Sequence, residues 1–150
     1  RYVTGNIPPD LRARMIERRS LGQRDLLGVD FSGEDLEGLD AAGATLRAVA
    51  FRDANLRGAD FSRANLSNAD MTGADLRGAR FEGADCEGAA FDGADLRGAD
   101  FSGASLFGAS FAGRRGAARL DAVTRIAEGQ IAALADEQAA FLRAALTQGG

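Results

Sequence analysis

The residue types that most often perform acid–base, nucleophilic or metal chemistry are scarce in this chain. It contains no histidine, so the most common general base and metal ligand is missing. Its single cysteine, Cys86, keeps the same spacing as many leucines and phenylalanines, which indicates a buried hydrophobic position. The acidic residues also recur at multiples of five, as Asp60, Asp75 and Asp95 show. The sequence therefore predicts a protein that is not an enzyme and that binds no cofactor or metal.

Arginine is the remaining residue type that could form a chemically specific surface. Arg57, Arg77 and Arg97 are spaced 20 residues apart, and Asp75 and Asp95 lie close to them in the sequence. If the chain makes one turn every 20 residues, these arginines form a surface stripe. Such a stripe has two interpretations: a ladder of solvated ion pairs that each contribute little to stability, or a charged surface for docking.

The distribution of charge limits the classes of partner. The net charge is −4, and the acidity lies in residues 24–113, which hold 8 arginines and 16 acidic residues. This sign disfavours nucleic acid as a ligand. No apolar run approaches the ~18 residues of a membrane-spanning helix, so we expect no membrane insertion. A single cysteine excludes an internal disulfide and fits a reducing compartment such as the cytoplasm.

The elements that position these side chains follow from an internal repeat. Residues 24–113 divide into 18 quintets without an insertion, most of them with a large apolar residue at the centre. From Ala54 to Ala109, alanine always stands two positions before the centre, Asp or Asn commonly precedes the centre directly, and Gly commonly follows two positions after it. A period of five fits neither an α-helix nor a β-strand, and it predicts a corner in every quintet.

These quintets resemble the repeats of the pentapeptide-repeat family. Good examples are A-N-L-R-G at residues 54–58 and A-D-L-R-G at residues 94–98. The resemblance covers residues 24–113 and is most specific over 54–113. It implies an all-β solenoid, a right-handed quadrilateral β-helix of about 4.5 coils with four quintets in each coil.

The 20-residue coil implied by the family predicts four stacked columns of core side chains. The columns are Phe31, Phe51, Met71, Phe91 and Phe111; Phe61, Phe81 and Phe101, which follow Ala41; Leu36, Leu56, Leu76 and Leu96; and Leu46, Leu66, Cys86 and Leu106, which follow Leu26. Phenylalanine and leucine alternate from column to column with few exceptions. A five-residue period alone does not require this alternation, so it supports the longer coil.

Residues 1–23 form an N-terminal segment in which we expect a short helix over 8–19. Leu11, Met15 and Ile16 share one face of this helix, and four arginines occupy the other. The helix either caps the first coil of the solenoid, whose edge would otherwise be exposed, or presents a basic face to a partner.

Residues 114–150 form a C-terminal segment with a helical composition over 117–146 and a break near Gly129. Apolar or small residues recur there at intervals of three and four, which approaches a coiled-coil seam. The seam consists of Leu120, Val123, Ala127, Ile131, Leu134 and Phe141. The segment either caps the last coil or, as the resemblance implies for some family members, joins two chains into a homodimer. Phe107, at an outward position, is expected to lie beneath it.

Three functions are compatible with these features. The first is a protein-interaction or scaffold module of a larger bacterial system, because the resemblance extends to proteins of secretion machinery, including type VI secretion. The chain begins with Arg1 rather than Met, which indicates a fragment or a processed protein and fits this function. The second is a DNA mimic that binds DNA gyrase, as in family members that confer fluoroquinolone resistance. The third is a structural spacer. We expect a cytoplasmic location, or secretion as part of a larger effector.

Overall fold

The computed structural model describes residues 7–22 and 25–148; the parts of the predicted terminal segments at 1–6, 23–24 and 149–150 lie outside the described residues. Its regular elements are α1 (Pro9–Arg18), β1 (Ala112–Gly113), β2 (Gly116–Ala117), α2 (Glu128–Ala132) and α3 (Asp136–Gln148). Between α1 and β1 the chain forms a ladder of short parallel bridges. None of the described helices combines the length and the apolar composition needed to cross a membrane.

Each coil of the ladder contains 20 residues. Fifteen parallel bridges join residues 20 apart, from Ser20–Asp40 to Ala90–Ser110. The backbone hydrogen bonds keep the same step, because the Leu76 amide donates to the Asp95 carbonyl at 2.9 Å and the Asp95 amide donates to the Ala74 carbonyl at 2.9 Å. The backbone therefore has the register that the alternation of phenylalanine and leucine predicts.

The four quintets of each coil give the ladder four faces, which we number by their central side chains. Face 1 has Leu26, Leu46, Leu66, Cys86 and Leu106 at its centre, face 2 has Phe31, Phe51, Met71, Phe91 and Phe111, face 3 has Leu36, Leu56, Leu76 and Leu96, and face 4 has Ala41, Phe61, Phe81 and Phe101. All these central side chains are at most 2% exposed. The alanines two positions earlier are small enough to let the large side chains of neighbouring faces meet.

Aromatic packing fills the interior between faces 2 and 4. The rings of Phe81 and Phe101, one coil apart on face 4, stack with centroids 4.5 Å apart. The rings of Phe91 and Phe101, on opposite faces, meet edge to face at 5.4 Å. Both geometries are favourable for aromatic pairs and add to the gain from burial. The outward side chains of the ladder therefore stand on a closely packed core.

In the C-terminal segment, the prediction of a helix over 117–146 is wrong for the first part of that range. After the hairpin of β1 and β2, residues 118–127 continue the ladder, with Arg119 bridged to Asp95 and Arg125 bridged to Asp100. The chain is helical only in α2 and α3, and Gly129 lies inside α2 instead of at the break. The physical reason is that the open edge of the last coil offers unpaired backbone groups, whose pairing outweighs the modest helix propensity of alanine-rich sequence.

The predicted seam is therefore not one line of contacts along a helix. Ile131 and Leu134 are buried, whereas Leu120 and Phe141 are partly buried against the core. Val123 is 62% exposed, and Ala127 is exposed at the end of the ladder. The fully buried residue of α3 is Leu142, which the seam does not include. The spacing of three and four arises here by coincidence, because four of the six seam residues lie outside any helix.

Candidate interaction surfaces

The predicted arginine stripe lies on face 3, but most of its charge is neutralised. Arg77 donates two hydrogen bonds to Asp75, at 2.8 and 2.6 Å. Arg97 makes the same paired contact with Asp95, at 2.9 and 2.6 Å. Arg57 has no ion-pair partner among the residues that the structure describes. Face 3 is thus a ladder of ion pairs rather than a continuous cationic stripe.

The ion pairs on face 3 change the acidity of the carboxylates. Hydrogen bonds from Arg77 hold the pKa of Asp75 below its ordinary value, and those from Arg97 do the same for the pKa of Asp95. The guanidinium of Arg119 also lies 3.8 Å from Asp95, in the next coil. These carboxylates remain ionised and accept hydrogen bonds from arginine, so they are poor candidates for proton transfer.

Faces 2 and 4 also pair their outward carboxylates with arginine. On face 2, Arg52 lies 3.2 Å from Asp70. On face 4, Arg80 lies 3.0 Å from Glu82 and 3.8 Å from Asp60 in the preceding coil. Contacts of this kind are solvent-exposed, so each contributes little to stability. The arginines reduce the negative electrostatic field that the excess of acidic residues in the repeat would otherwise create.

Face 1 differs from the other faces. Asp85 and Glu87 project from neighbouring outward positions, and the described residues supply neither with an ion-pair partner. Phe107, one coil further along the column of Glu87, is 65% exposed. The prediction that Phe107 lies under the C-terminal helix is therefore wrong. The helices cover the end of the solenoid, whereas the side chain of Phe107 points sideways from its wall.

Helix α1 uses part of its basic face to contact the first coil. Its Met15 is buried, and Arg12 donates hydrogen bonds to Glu34 at 2.8 Å and to the Asp30 carbonyl at 3.0 Å. Two other arginines of the segment, Arg14 and Arg18, have no partner in the described part of the chain and line a shallow hollow of about 170 Å³. Helix α1 therefore carries contacts to the first coil and, within the described ranges, arginines without an ion-pair partner.

Two glutamines contact the backbone at the C-terminal end of the solenoid. Gln130 of α2 donates to the carbonyls of Phe101 at 2.7 Å and Ala104 at 2.8 Å. Gln138 of α3 accepts from the amides of Phe111 at 2.7 Å and Ala112 at 3.1 Å, and it donates to the Ala112 carbonyl at 3.0 Å. Neither role was predicted from the sequence. Gln138 lies four residues after Leu134 and three before Phe141 of the seam, and a polar residue at that spacing was the signal that could have identified it.

Cys86 and the carboxylates show no arrangement that resembles a reaction centre. The Cys86 side chain is fully buried, and this burial raises the pKa of its thiol. Within the described ranges, no three His, Cys, Asp or Glu side chains form a group that could hold a metal ion. An open cleft of about 650 Å³ lies between face 4 and α2, lined by alanines together with Arg125, Ile126 and Gln130. Its lining offers binding groups but no general base.

Comparison with protein families gives a match over the ladder. Pentapeptide repeats, in 8 copies, match residues 44–83 and 84–113. The comparison with curated proteins finds no match.

Several solved structures are similar to this chain. HetL, a pentapeptide-repeat protein involved in heterocyst differentiation regulation in the cyanobacterium Nostoc, is 27% identical with a TM-score of 0.52, over 68% of this chain and 57% of HetL. A pentapeptide-repeat protein of the Arabidopsis thaliana thylakoid lumen is 38% identical with a TM-score of 0.39, over 63% of this chain and 66% of that protein. QnrB1, a plasmid-mediated fluoroquinolone resistance protein, is 24% identical with a TM-score of 0.43, over 79% of this chain and 84% of QnrB1. The chain therefore matches only 57% of HetL and 66% of the plant protein.

Proposed function

Because this chain belongs to the pentapeptide-repeat family, whose members fold as right-handed β-helices, we propose that it is a non-catalytic module that binds a partner protein through the faces of its solenoid. The supporting observation is the strict division between inward and outward positions. The central residues are at most 2% exposed and repeat one pattern, whereas the outward residues differ from face to face. Specific recognition on such a rod resides in these outward side chains.

The state of the chemically capable groups supports a non-catalytic role. A nucleophilic cysteine needs an accessible thiolate, and Cys86 is buried with a raised thiol pKa. Asp75 and Asp95 accept paired hydrogen bonds from arginine. Cys86, Asp75 and Asp95 are therefore engaged in holding the solenoid together.

We further propose that the terminal helices act as caps and that the chain functions as a monomer. The apolar residues of the C-terminal helices, such as Ile131 and Leu142, pack against the last coil of their own chain. The exposed side of α3 carries Glu137, Ala140 and Ala144, which are small or charged. This side lacks the large apolar residues that a helix-mediated dimer interface buries.

Site-specific photo-crosslinking tests the proposed function. A photoreactive amino acid is placed on each face in turn, at Phe107 (face 1), Arg52 (face 2), Arg57 (face 3) and Arg80 (face 4), in cells that produce the protein. We expect one defined protein to crosslink from one face, and this purified partner to bind the unmodified chain. If no face gives more crosslinked protein than the sample without irradiation, the proposed interaction function is wrong. A structural spacer is then the better description of the protein.

A DNA mimic that binds gyrase is a second candidate, favoured by the excess of 16 acidic residues over 8 arginines in residues 24–113. The ion pairs on faces 2, 3 and 4 oppose it, because arginines interrupt a phosphate-like surface. A supercoiling assay separates the two functions. Inhibition of gyrase at micromolar concentrations of this protein would establish the mimic, whereas unchanged supercoiling would eliminate it.

A further inference from the structure

The C-terminal end of face 1 combines two acidic side chains that form no ion pair with the described residues, and the side chain of Arg63 packs over Gly83 at the adjoining corner. Asp85 uses one oxygen to accept the Glu87 amide at 3.1 Å, and Glu87 makes a long contact of 3.5 Å with the Ser105 hydroxyl. Among the outward positions of face 1 that the structure describes, the single arginine is Arg47, two coils before Glu87. Two coils correspond to about 10 Å, a distance at which salt already screens the attraction between exposed charges.

An exposed aromatic ring completes this surface. Phe107 and Val123 are the large apolar side chains that remain exposed among the described residues. The Phe107 carbonyl accepts the Gly88 amide at 2.9 Å, so Phe107 lies one coil from Glu87 and Gly88. Gly88 and Gly108 follow at the corners; the Asn68 side chain lies over Gly88, and the Phe107 ring remains exposed beside it. A partner can therefore approach both the ring and the carboxylate of Glu87.

Elsewhere in the same molecule, an aromatic ring and a neighbouring carboxylate together bind an arginine. At the other end of the solenoid, the guanidinium of Arg12 lies 5.4 Å from the ring centroid of Phe31 and 2.8 Å from Glu34. An arginine thus docks α1 by contacting an aromatic ring and a carboxylate together. Phe107 and Glu87 present a ring and a carboxylate on neighbouring coils, and no described arginine pairs with Glu87.

We propose that Phe107, Glu87 and Asp85 form a docking surface for an arginine-bearing segment of a partner protein. A guanidinium of the partner stacks on the Phe107 ring and hydrogen-bonds to Glu87, and Asp85 adds to the local negative field. Guanidinium suits this surface better than ammonium because it is planar, stacks on aromatic rings and binds carboxylates through paired hydrogen bonds. The proposal rests on the proposed interaction function and assigns it a face and a class of partner.

Fluorescence anisotropy with a short fluorescein-labelled peptide of alternating arginine and glycine tests this surface. We expect the full chain to bind this peptide more tightly than its lysine counterpart. Phe107→Ala and Glu87→Gln should each weaken binding about threefold, in line with an exposed cation–π contact and an exposed ion pair. Because these side chains are on the surface, circular dichroism should show unchanged thermal unfolding for both variants.

Matched variants separate this surface from general attraction to an acidic protein. Val123→Ala removes the other exposed apolar side chain, and Glu37→Gln removes an outward carboxylate from face 3. We expect both controls to bind the peptide like the original chain. Equal losses in controls and test variants would overturn the proposal, as would equal affinity for the arginine and lysine peptides.

Light scattering and the crosslinking experiment distinguish the remaining outcomes. Self-association that Phe107→Ala abolishes would show that a second copy of this chain occupies the surface, and would overturn a separate partner. A partner that crosslinks from face 2, 3 or 4 but not from Phe107 would refute this surface while leaving the interaction function intact.

Discussion

At the scale of single residues, the corners of the solenoid require a left-handed backbone. Gly78 and Gly93 occupy equivalent corner positions with φ of +69° and +70°. A Cβ atom at Gly78 would meet no neighbour, whereas at Gly93 it would lie 2.7 Å from the carbonyl oxygen of Arg115 in the turn between β1 and β2. Gly78 is therefore favoured by its backbone conformation alone, a conformation that Ala48 also adopts at an equivalent corner, whereas Gly93 is favoured by its conformation and by the close approach of the hairpin.

Alanine substitutions separate these two requirements. Gly78→Ala should lower the free energy of unfolding by about 1 kcal/mol, the cost of a left-handed residue with a side chain. Gly93→Ala should cost about 2–4 kcal/mol, because the clash with Arg115 also displaces the hairpin. Urea unfolding followed by circular dichroism measures both values. Equal losses would show that the hairpin does not press on face 2.

The paired carboxylates of face 3 make stability depend on pH. The pKa values of Asp75 and Asp95 are lowered in the folded state by hydrogen bonds from Arg77 and Arg97. A carboxyl group with a lowered folded-state pKa contributes stability that is fully present above its ordinary pKa of 3.8. This contribution is lost as the pH falls through the lower, folded-state value.

We therefore expect the double variant Asp75→Asn, Asp95→Asn to melt about 1–3 °C below the original chain at neutral pH. The two proteins should converge as the pH falls from neutral through the lowered folded-state pKa values, below which both carboxyl groups of the original chain are protonated. Melting temperatures measured across this pH range test the effect, with Glu37→Gln as the control on the same face. A constant difference at every pH would contradict the assigned role of the ion pairs.

At the scale of elements, the C-terminal helices stabilise the solenoid by satisfying backbone groups as well as by burying apolar side chains. The last coil has no following coil to accept its amides. Gln138 replaces the missing neighbour by accepting from the Phe111 and Ala112 amides and donating to the Ala112 carbonyl. The position of α3 is therefore set by polar contacts at its start and by the burial of Leu142 further along.

Gln138→Ala should lower the free energy of unfolding by about 1–3 kcal/mol, because the substitution leaves two amides and a carbonyl without partners at the covered end of the ladder. Glu137→Ala, one residue away on the exposed side of α3, is the matched control and should change stability by less than about 0.5 kcal/mol. Denaturant unfolding measures both. A neutral Gln138→Ala variant would show that water reaches these groups and that the glutamine is dispensable.

At the scale of the whole molecule, the two ends of the solenoid decide whether it remains a single chain in solution. An uncovered coil presents unpaired backbone groups and apolar side chains, which favours edge-to-edge association. Helix α1 contributes Met15 at one end, and α2, α3 and the turn between them contribute Ile131, Leu142 and Leu134 at the other. Because these side chains are buried within one chain, we expect the helices to cap the solenoid rather than to form a dimer interface.

Light scattering after size exclusion tests this view with a chain that ends at Ala127, before α2. We expect the full chain to be monomeric. The shortened chain should lose roughly 4 kcal/mol or more of stability, because three large buried side chains are removed, and it should self-associate through its open end. A dimeric full chain together with a monomeric shortened chain would show instead that the helices form a dimer interface.

Much of the solenoid could be predicted from sequence because its repeat is a local property. The side chains of Phe81 and Phe101 pack one coil apart because they are 20 residues apart, and Phe61 and Phe81 repeat the contact in the preceding coil. Residues 118–127 could not be assigned in this way. The hairpin changes the spacing, so that Arg119 pairs with Asp95 at 24 residues and Arg125 pairs with Asp100 at 25. Without a constant period, alanine-rich composition favoured a helix.

The candidate surface at Phe107 also combines a feature that the sequence predicts with one that it does not. The sequence identified Phe107 as an apolar residue at an outward position, but not whether another element covers it. The sequence by itself determined the period, the core columns and the corners, because these depend on contacts that recur at a fixed separation along the chain. Only the tertiary structure decided how the ends are capped, which arginines pair with carboxylates, and that Phe107 and Glu87 remain accessible. These features depend on contacts between segments that share no repeat, so no spacing in the sequence encodes them.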